Sequence, residues 1–363
     1  MADRATDEAA AVAVHETLAT RVLLGRGSSE RIADEAARLG ARRALLVAAP
    51  SAADSADRAA EALGQRLAAR FDRPAPHTPV AVTAEVMQLI GAGGADCVVG
   101  IGGGSAIGLA KAVSARTGAS QIAVPTTYSG SEATPVLGET EQGVKTTRRD
   151  PALAPGTIVY DPDLTLAMPV GLTRTSAVNA LAHAVEALWA PETTPVTRAL
   201  ATEAANGILE ALPDVLVAPE DPQARERLQS AAWLAGSCLA QARMGLHHQL
   251  AHALGGTFDL PHAELHTMLL PHVMAFNRRS APAAFDRLAR SAGPDPVAAV
   301  ADLARGYDGP RSLAELGVAR EQLRGIAERV VAGPYPNPRP LTVDAVAELL
   351  DELWQGKFPT GVR

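Results

Sequence analysis

Six of the chain's nine histidines, His247, His248, His252, His262, His266 and His272, crowd between residues 247 and 272. Imidazole titrates near neutral pH and is the commonest metal ligand, so the crowding calls for proton handling, anion binding or metal binding. Asn179 and His183 stand four apart in a helical pattern and share a face. His248 and His252 repeat that spacing on another segment, and His262 follows Pro261, which suits a helix's first turn. Three helices can therefore aim His183, His248 and His262 at one point, with His252 one turn away. Three imidazoles are able to hold Zn²⁺ in an open catalytic site. The fourth position, however, is Asn179, a neutral amide where a carboxylate would anchor and partly neutralise a divalent ion. Glu186 lies three residues past His183, and nothing in the sequence draws it into the cluster. For any one histidine the bland alternative is a hydrogen-bonded core or surface residue.

A second constellation suits phosphate. Gly100-Ile-Gly102-Gly103-Gly104-Ser105 follows a buried apolar run and opens a helical one. Glycine tolerates positive φ and admits a phosphate close to the backbone; the helix start adds free N–H groups and a favourable dipole. The run matches neither of the common glycine-rich nucleotide fingerprints. It also reads as a plain strand-to-helix turn with Ser105 as N-cap. Pro125-Thr126-Thr127-Tyr-Ser-Gly-Ser131-Glu132 follows the next strand with small hydroxyl residues, suited to a nucleotide in a sheet's crevice, or to an ordinary hydroxyl-rich loop. The first strand ends in Val47-Ala-Ala-Pro-Ser51 without the acidic residue that would favour NADH over NADPH. Either cofactor suits it.

The elements that must carry these residues divide near residue 168. Before it, buried strands over about 43–49, 95–101 and 121–125 alternate with helices over about 29–40, 54–70, 83–91 and 105–116. That is the pattern of a parallel sheet covered on both faces. Residues 132–165 read as Pro-, Gly- and Thr-rich loops with short extended pieces such as 156–161. After it, helical patterns dominate: 173–189, 195–212, 222–243, 246–254, 263–278, 284–291, 296–304, 319–331 and 342–355. We expect an α/β dinucleotide-binding domain over 1–168 and an all-helical domain over 169–363, consistent with a length of 363 residues. The composition is 47% hydrophobic, 20% charged and 3% aromatic with net charge −7, without the basic stripe of a nucleic-acid binder. No apolar run approaches the roughly 18 residues of a membrane span. The first eight residues lack the pattern of a secretory signal. Cys97 and Cys238 make no disulfide scaffold, which suits the cytoplasm.

Together these stretches resemble the iron-containing alcohol dehydrogenase superfamily, with its dehydroquinate synthase-like architecture, and most closely its maleylacetate reductase branch. The resemblance spans roughly residues 20–350 and rests on 100–111, 125–134, 157–162, 179–186 and above all 245–277. It implies a nucleotide-binding α/β domain, a helical domain, a cleft between them and a homodimer. In metal-dependent relatives the positions of Asn179, His183, His248 and His262 hold Asp and three His. The branch shares the Asn and the doubled His247-His248, and is regarded as metal-free. The resemblance assigns the pyrophosphate to Gly102, Gly103, Gly104 and Ser105, and a second nucleotide loop to Thr126, Thr127 and Ser131. It assigns the nicotinamide side to Lys145 and His252.

The implied reaction is NADH- or NADPH-dependent reduction of the conjugated C=C of maleylacetate to 3-oxoadipate, in the breakdown of an aromatic ring. On this reading His252 is the acid. His183, His248 and His262 act as protonated imidazoles that bind and polarise the substrate, and Lys145 and Arg243 each hold a carboxylate. Two rivals remain: a Zn²⁺- or Fe²⁺-dependent alcohol or aldehyde dehydrogenase on the same fold, and a cyclase or lyase using no nucleotide.

Overall fold

The strand runs at 44–48 and 97–102 are buried at every position, because apolar side chains alternate onto two faces and both faces are covered. The computed structural model describes residues 15–359; the N-terminal octet lies outside them. In chain order the first half runs β1 (Arg21–Leu24), α1 (Ile32–Arg38), β2 (Ala44–Ala48), α2 (Ala53–Leu63), β3 (Leu67–Phe71), α3 (Val80–Ile90), β4 (Cys97–Gly102), α4 (Gly104–Thr117) and β5 (Ser120–Pro125). A hairpin of β6 (Val136–Glu141) and β7 (Val144–Arg149) and the strand β8 (Thr157–Tyr160) complete it. Six strands form one parallel sheet in the order β1-β8-β5-β4-β2-β3. The chain leaves β2 for β3 on one side and returns as β4 on the other. Crevices at the carboxyl ends of strands at such a reversal are where open α/β sheets take ligands.

The α/β character with a following helical part stands as expected from the sequence. Three details differ. The helix read over 54–70 stops at Leu63, where Gly64 turns with φ 50, and Leu67–Phe71 becomes the edge strand pairing with β2. Its Ala, Leu and Arg residues favour helix, and sheet pairing overrides that weak preference. The loop stretch 132–165 contains the β6–β7 hairpin, and β8 inserts between β5 and β1. β1 itself carries too short a pattern to be read.

From residue 170 onward the elements are α5 (Val170–Trp189), α6 (Pro195–Val217), α7 (Pro222–Gln241), α8 (Leu246–Phe258), α9 (His262–Asn277), α10 (Pro282–Ala292), α11 (Pro296–Arg305), α12 (Leu323–Val331) and α13 (Val343–Trp354). α5 is buried almost throughout, from Thr173 to Leu188, and packs on α6, α7 and α9. Small residues let these helices approach closely: a Cβ on Gly207 would lie 2.9 Å from that of Ala231. A helix buried all round is held rigidly, which is what a multi-residue site requires of its carrier. Among the described residues no helix is long and apolar enough to cross a membrane.

Candidate active site

The glycine turn forms where β4 meets α4. Gly102 has φ 146, a value L side chains rarely adopt, and a Cβ there would lie 2.7 Å from Ala49 Cβ and 2.9 Å from Ala106 Cβ. Gly102→Ala is therefore expected to destabilise the protein by about 1–3 kcal/mol through overpacking alone; an unchanged urea midpoint would contradict the tight β2–β4 approach. The helix is capped by Gly103, without a side-chain hydrogen bond; Ala106 N donates to Gly103 O, and the N–H groups of Gly104 and Ser105 stay free for an anion. Ser105 sits in that first turn and is not the N-cap. Thr127 packs against Gly103, whose Cβ, if present, would be 3.1 Å from Thr127 Cγ2.

Two cavities flank this turn. One of about 510 Å³ lies at the carboxyl end of β2 and is lined by Ser51, Asp54, Arg58, Thr126 and Asp161. The lining carries four carboxylates, Glu30, Asp54, Asp161 and Asp163, against one guanidinium, Arg58. Asp161 is committed, accepting hydrogen bonds from Gly27 N and from Ser29 N and Oγ. The other, a cleft of about 930 Å³, runs from Gly104 past Ser131 and the hairpin residue Lys145 to Asn179, His183, His248, His252 and His262. Arg243 and Tyr335 close its rim. The structure thus brings Lys145, Ser131 and the histidines into one cleft. Arg243 is largely exposed and already occupied, donating to Pro334 O and lying 3.6 Å from Glu192.

Helices α5, α8 and α9 carry the imidazoles. His183 and His248 have ring centroids 5.1 Å apart, and those of His252 and His262 are stacked at 5.8 Å. His266 joins the group, 4.9 Å from His248 and 4.4 Å from His262. His272 does not. Its nitrogens face Met268 O and Lys357 O, away from the cleft. His77 reaches the cleft rim from a non-glycine left-handed pair, His77 at φ 62 and Thr78 at φ 46.

Glu186 is the residue that sequence reasoning missed. It is buried behind His248, accepting from Gly245 N at 2.9 Å and His247 N at 2.9 Å, while its Oε2 lies 2.7 Å from His248 Nδ1. Being one turn beyond His183 on α5 was the available signal. Burial pushes its carboxyl upward, opposed by His247 and by backbone N–H groups. The pair shares one proton between Nδ1 and Oε2, which leaves His248 Nε2 a bare acceptor; that atom is buried without a partner. Glu186→Gln turns an amide N–H toward buried N–H donors and should cost about 1–3 kcal/mol, and about 10–100-fold in activity. Wild-type stability in the variant would remove Glu186 from this role.

Lys111, within the sequence's glycine-helix stretch, is fully buried and donates to Ser131 O, Thr134 O and Val136 O at 2.6–3.0 Å. It ties the second nucleotide loop and the hairpin to α4. Burial lowers its ammonium to about 7, opposed by Glu132. Gly130, with φ 75, meets α7 at Gly236: a Cβ on Gly236 would lie 3.0 Å from Gly130 Cα, and one on Gly130 would lie 3.3 Å from His183 Nδ1.

Electrostatics correct one expectation. His183, His247, His248 and His266 are all held well below the ordinary imidazole range, first by burial and then chiefly by one another. His262 and His252 are open to the cleft, yet the surrounding protein and the Lys145 charge lower both. The pocket is a nest of neutral imidazoles, not a cationic one, because burial, and then the closeness of six rings, disfavours the charged form.

Comparison with known proteins identifies relatives over nearly the whole chain. Residues 19–162 match the family described as iron-containing alcohol dehydrogenase, and residues 173–354 match its C-terminal part. Maleylacetate reductase of Rhizobium sp. (strain MTP-10005) is 45% identical over 346 residues, covering 95% of this chain and 99% of the relative. Maleylacetate reductase of Sphingobium indicum is 43% identical, covering 95% and 98%. The crystal structure of maleylacetate reductase from Agrobacterium tumefaciens superposes with a TM-score of 0.91 at 44% identity, covering 96% of this chain and 100% of that one.

Proposed function

The chain belongs to the iron-containing alcohol dehydrogenase family, on its maleylacetate reductase branch; on that premise we propose that it reduces the conjugated C=C of maleylacetate to 3-oxoadipate with NADH or NADPH, without a metal. The observation that carries this reading is a cleft joining an open helix-start anion site to a cluster of neutral imidazoles. NAD(P)H fits the glycine turn: Gly102, Gly103, Gly104 and Ser105 would take the pyrophosphate, and Thr126, Thr127 and Ser131 the second nucleotide loop. When bound it supplies the hydride. The chain's own residues do the rest. Lys145 carries no ion pair with a carboxylate among the described residues and is free to hold a substrate carboxylate; Arg243 would have to leave Glu192 and Pro334 O to hold the other. His183 and Asn179 line the floor and orient the enone. As negative charge grows on the ketone oxygen, a donor must meet it, and a proton must reach the carbon beside the ketone. His252 is the imidazole assigned to that proton, because it is open to the cleft and can be recharged from solvent.

A divalent ion fits this donor set poorly. Among the described residues no group of three or more His, Cys, Asp and Glu is arranged to hold one. The unpartnered buried atoms lining the cleft are Ser129 Oγ, Asn179 Oδ1, His183 Nδ1 and His248 Nε2, none of them anionic. His262 Nε2 already faces His266 Nε2 at 3.0 Å. One observation favours the metal-dependent alternative: a Glu–His pair with a bare outer nitrogen also serves metal sites. We expect NADH oxidation on adding maleylacetate to be unchanged after exhaustive chelation. Activity lost to the chelator and restored by Fe²⁺ or Zn²⁺ selects the alternative, and no NADH oxidation with either treatment overturns the reductase reading.

Residues up to 168 would form the nucleotide-binding domain and the remainder the substrate domain. We place the protein in the cytoplasm, supported by two buried, unbridged cysteines. We also infer a homodimer, supported by the outer edge of β1, which among the described residues pairs only with β8.

A further inference from the structure

Two imidazoles stand behind the cleft wall, where neither nucleotide nor substrate reaches. His247 and His266 are both fully buried. His247 Nε2 lies 2.7 Å from His266 Nδ1, and His266 Nε2 lies 3.0 Å from His262 Nε2. The three rings form a chain whose outer end, His262, opens on the cleft. A neutral imidazole has one N–H and one lone pair, so each link needs a donor on one side and an acceptor on the other. Only two polarities satisfy both links. In the outward one, His247 Nε2–H donates to His266 Nδ1, His266 Nε2–H donates to His262 Nε2, and His262 presents Nδ1–H to the cleft. In the inward one every proton is reversed, and His262 presents a lone pair.

The inner end decides between them. His247 Nδ1 is buried without a hydrogen-bond partner. The inward polarity would leave an N–H there unmade, whereas the outward one leaves only a lone pair, and orphaned buried N–H groups are the rarer of the two. The outer ring also heads α9, where the positive end of the helix dipole disfavours an imidazolium. With no polar partner beyond His247, the chain is a dead end and conducts no proton; what it can do is fix a tautomer.

We propose that His247 and His266 are positioning residues that lock His262 as the Nδ1–H tautomer, a neutral hydrogen-bond donor aimed at an anionic oxygen in the cleft. The proposal rests on the reductase reading only in naming that oxygen, the substrate's ketone as charge develops on it. The cleft then carries two imidazoles of opposite sense: His248, turned by Glu186 to present a lone pair, and His262, turned by His266 to present a proton. The outward polarity also uses up the His262 Nε2 lone pair that a metal would need.

The test is long-range ¹H–¹⁵N correlation of the full-length protein labelled with ¹⁵N-histidine, at neutral pH, with His262→Gln identifying the signals. His262 should show the Nδ1–H pattern, opposite to the Nε2–H form that free histidine side chains favour in water. An Nε2–H pattern in the wild type overturns the proposal. In His266→Leu the ring should revert to Nε2–H and kcat/KM should fall about 10–100-fold, the usual scale for such outer partners. His247→Leu gives the same comparison should the first variant not fold. A folded variant that keeps the Nδ1–H form overturns the positioning role. A wild-type Nδ1–H pattern in a protein that does not reduce maleylacetate supports the tautomer assignment and rejects the reductase reading alone.

Discussion

Replacing His252 by alanine is expected to lower kcat/KM for maleylacetate by roughly 10²–10⁴, the range that a lost general acid produces. The expectation comes from exposure. His183, His247, His248 and His266 are sealed from solvent, and an imidazole that cannot be reprotonated cannot turn over as an acid. His252 faces the cleft, one turn along α8 from His248. Burial and Lys145 lower its imidazolium, so the competent acid is scarcer at pH 7 than for a free histidine. The kcat/KM profile should accordingly rise as pH falls below 7, and that rise should vanish in the variant. A loss under about threefold, or an unchanged profile, takes His252 out of the proton step.

The second large effect is on stability. His183, His247 and His266 are buried, no ring of the three is hydrogen-bonded to a carboxylate, and each titrates well below its ordinary value of 6.5. His248 is left aside because Glu186 Oε2 lies 2.7 Å from its Nδ1. With a folded-state value below the unfolded one, the unfolded chain takes up protons first as pH drops. Stability is therefore fully present above about pH 7 and lost as pH falls below the unfolded value. Three such groups give a slope of about 4 kcal/mol per pH unit. Set against the roughly 5–15 kcal/mol by which proteins are usually stable, this predicts acid unfolding near pH 4–5. Urea denaturation at intervals from pH 7.5 to 5 reads the slope directly; equal midpoints at both ends would show that the imidazoles are not held neutral.

Much of this arrangement was legible from side-chain periodicity. Continuous apolar runs at 44–48, 97–101 and 121–125 gave the middle of the sheet, and the i,i+4 pairs gave the faces of α5 and α8. What stayed hidden depends on tertiary partners. Leu67–Phe71 became a strand because β2 offers it an edge, although its residues prefer helix. Glu186 joined the histidines because the turn into α8 supplies three backbone N–H groups, which no spacing rule reveals. The protonation state was the largest reversal. Counting imidazoles suggested a cationic pocket; packing six of them together, out of water, makes charging any one unfavourable. His272 shows the limit of proximity along the chain, since a different helical face took it to Lys357.

The contact between Gly130 and Gly236 has a consequence for how the two halves of the cleft stay in register. The 125–134 loop and α7 meet there main chain against main chain, beside the His183 ring, with no rotamer in between to take up slack. The spacing between that loop and α7 is thus gauged by covalent geometry. Side chains elsewhere in the pocket can be exchanged to suit a different acid or ketone while this ruler keeps its length.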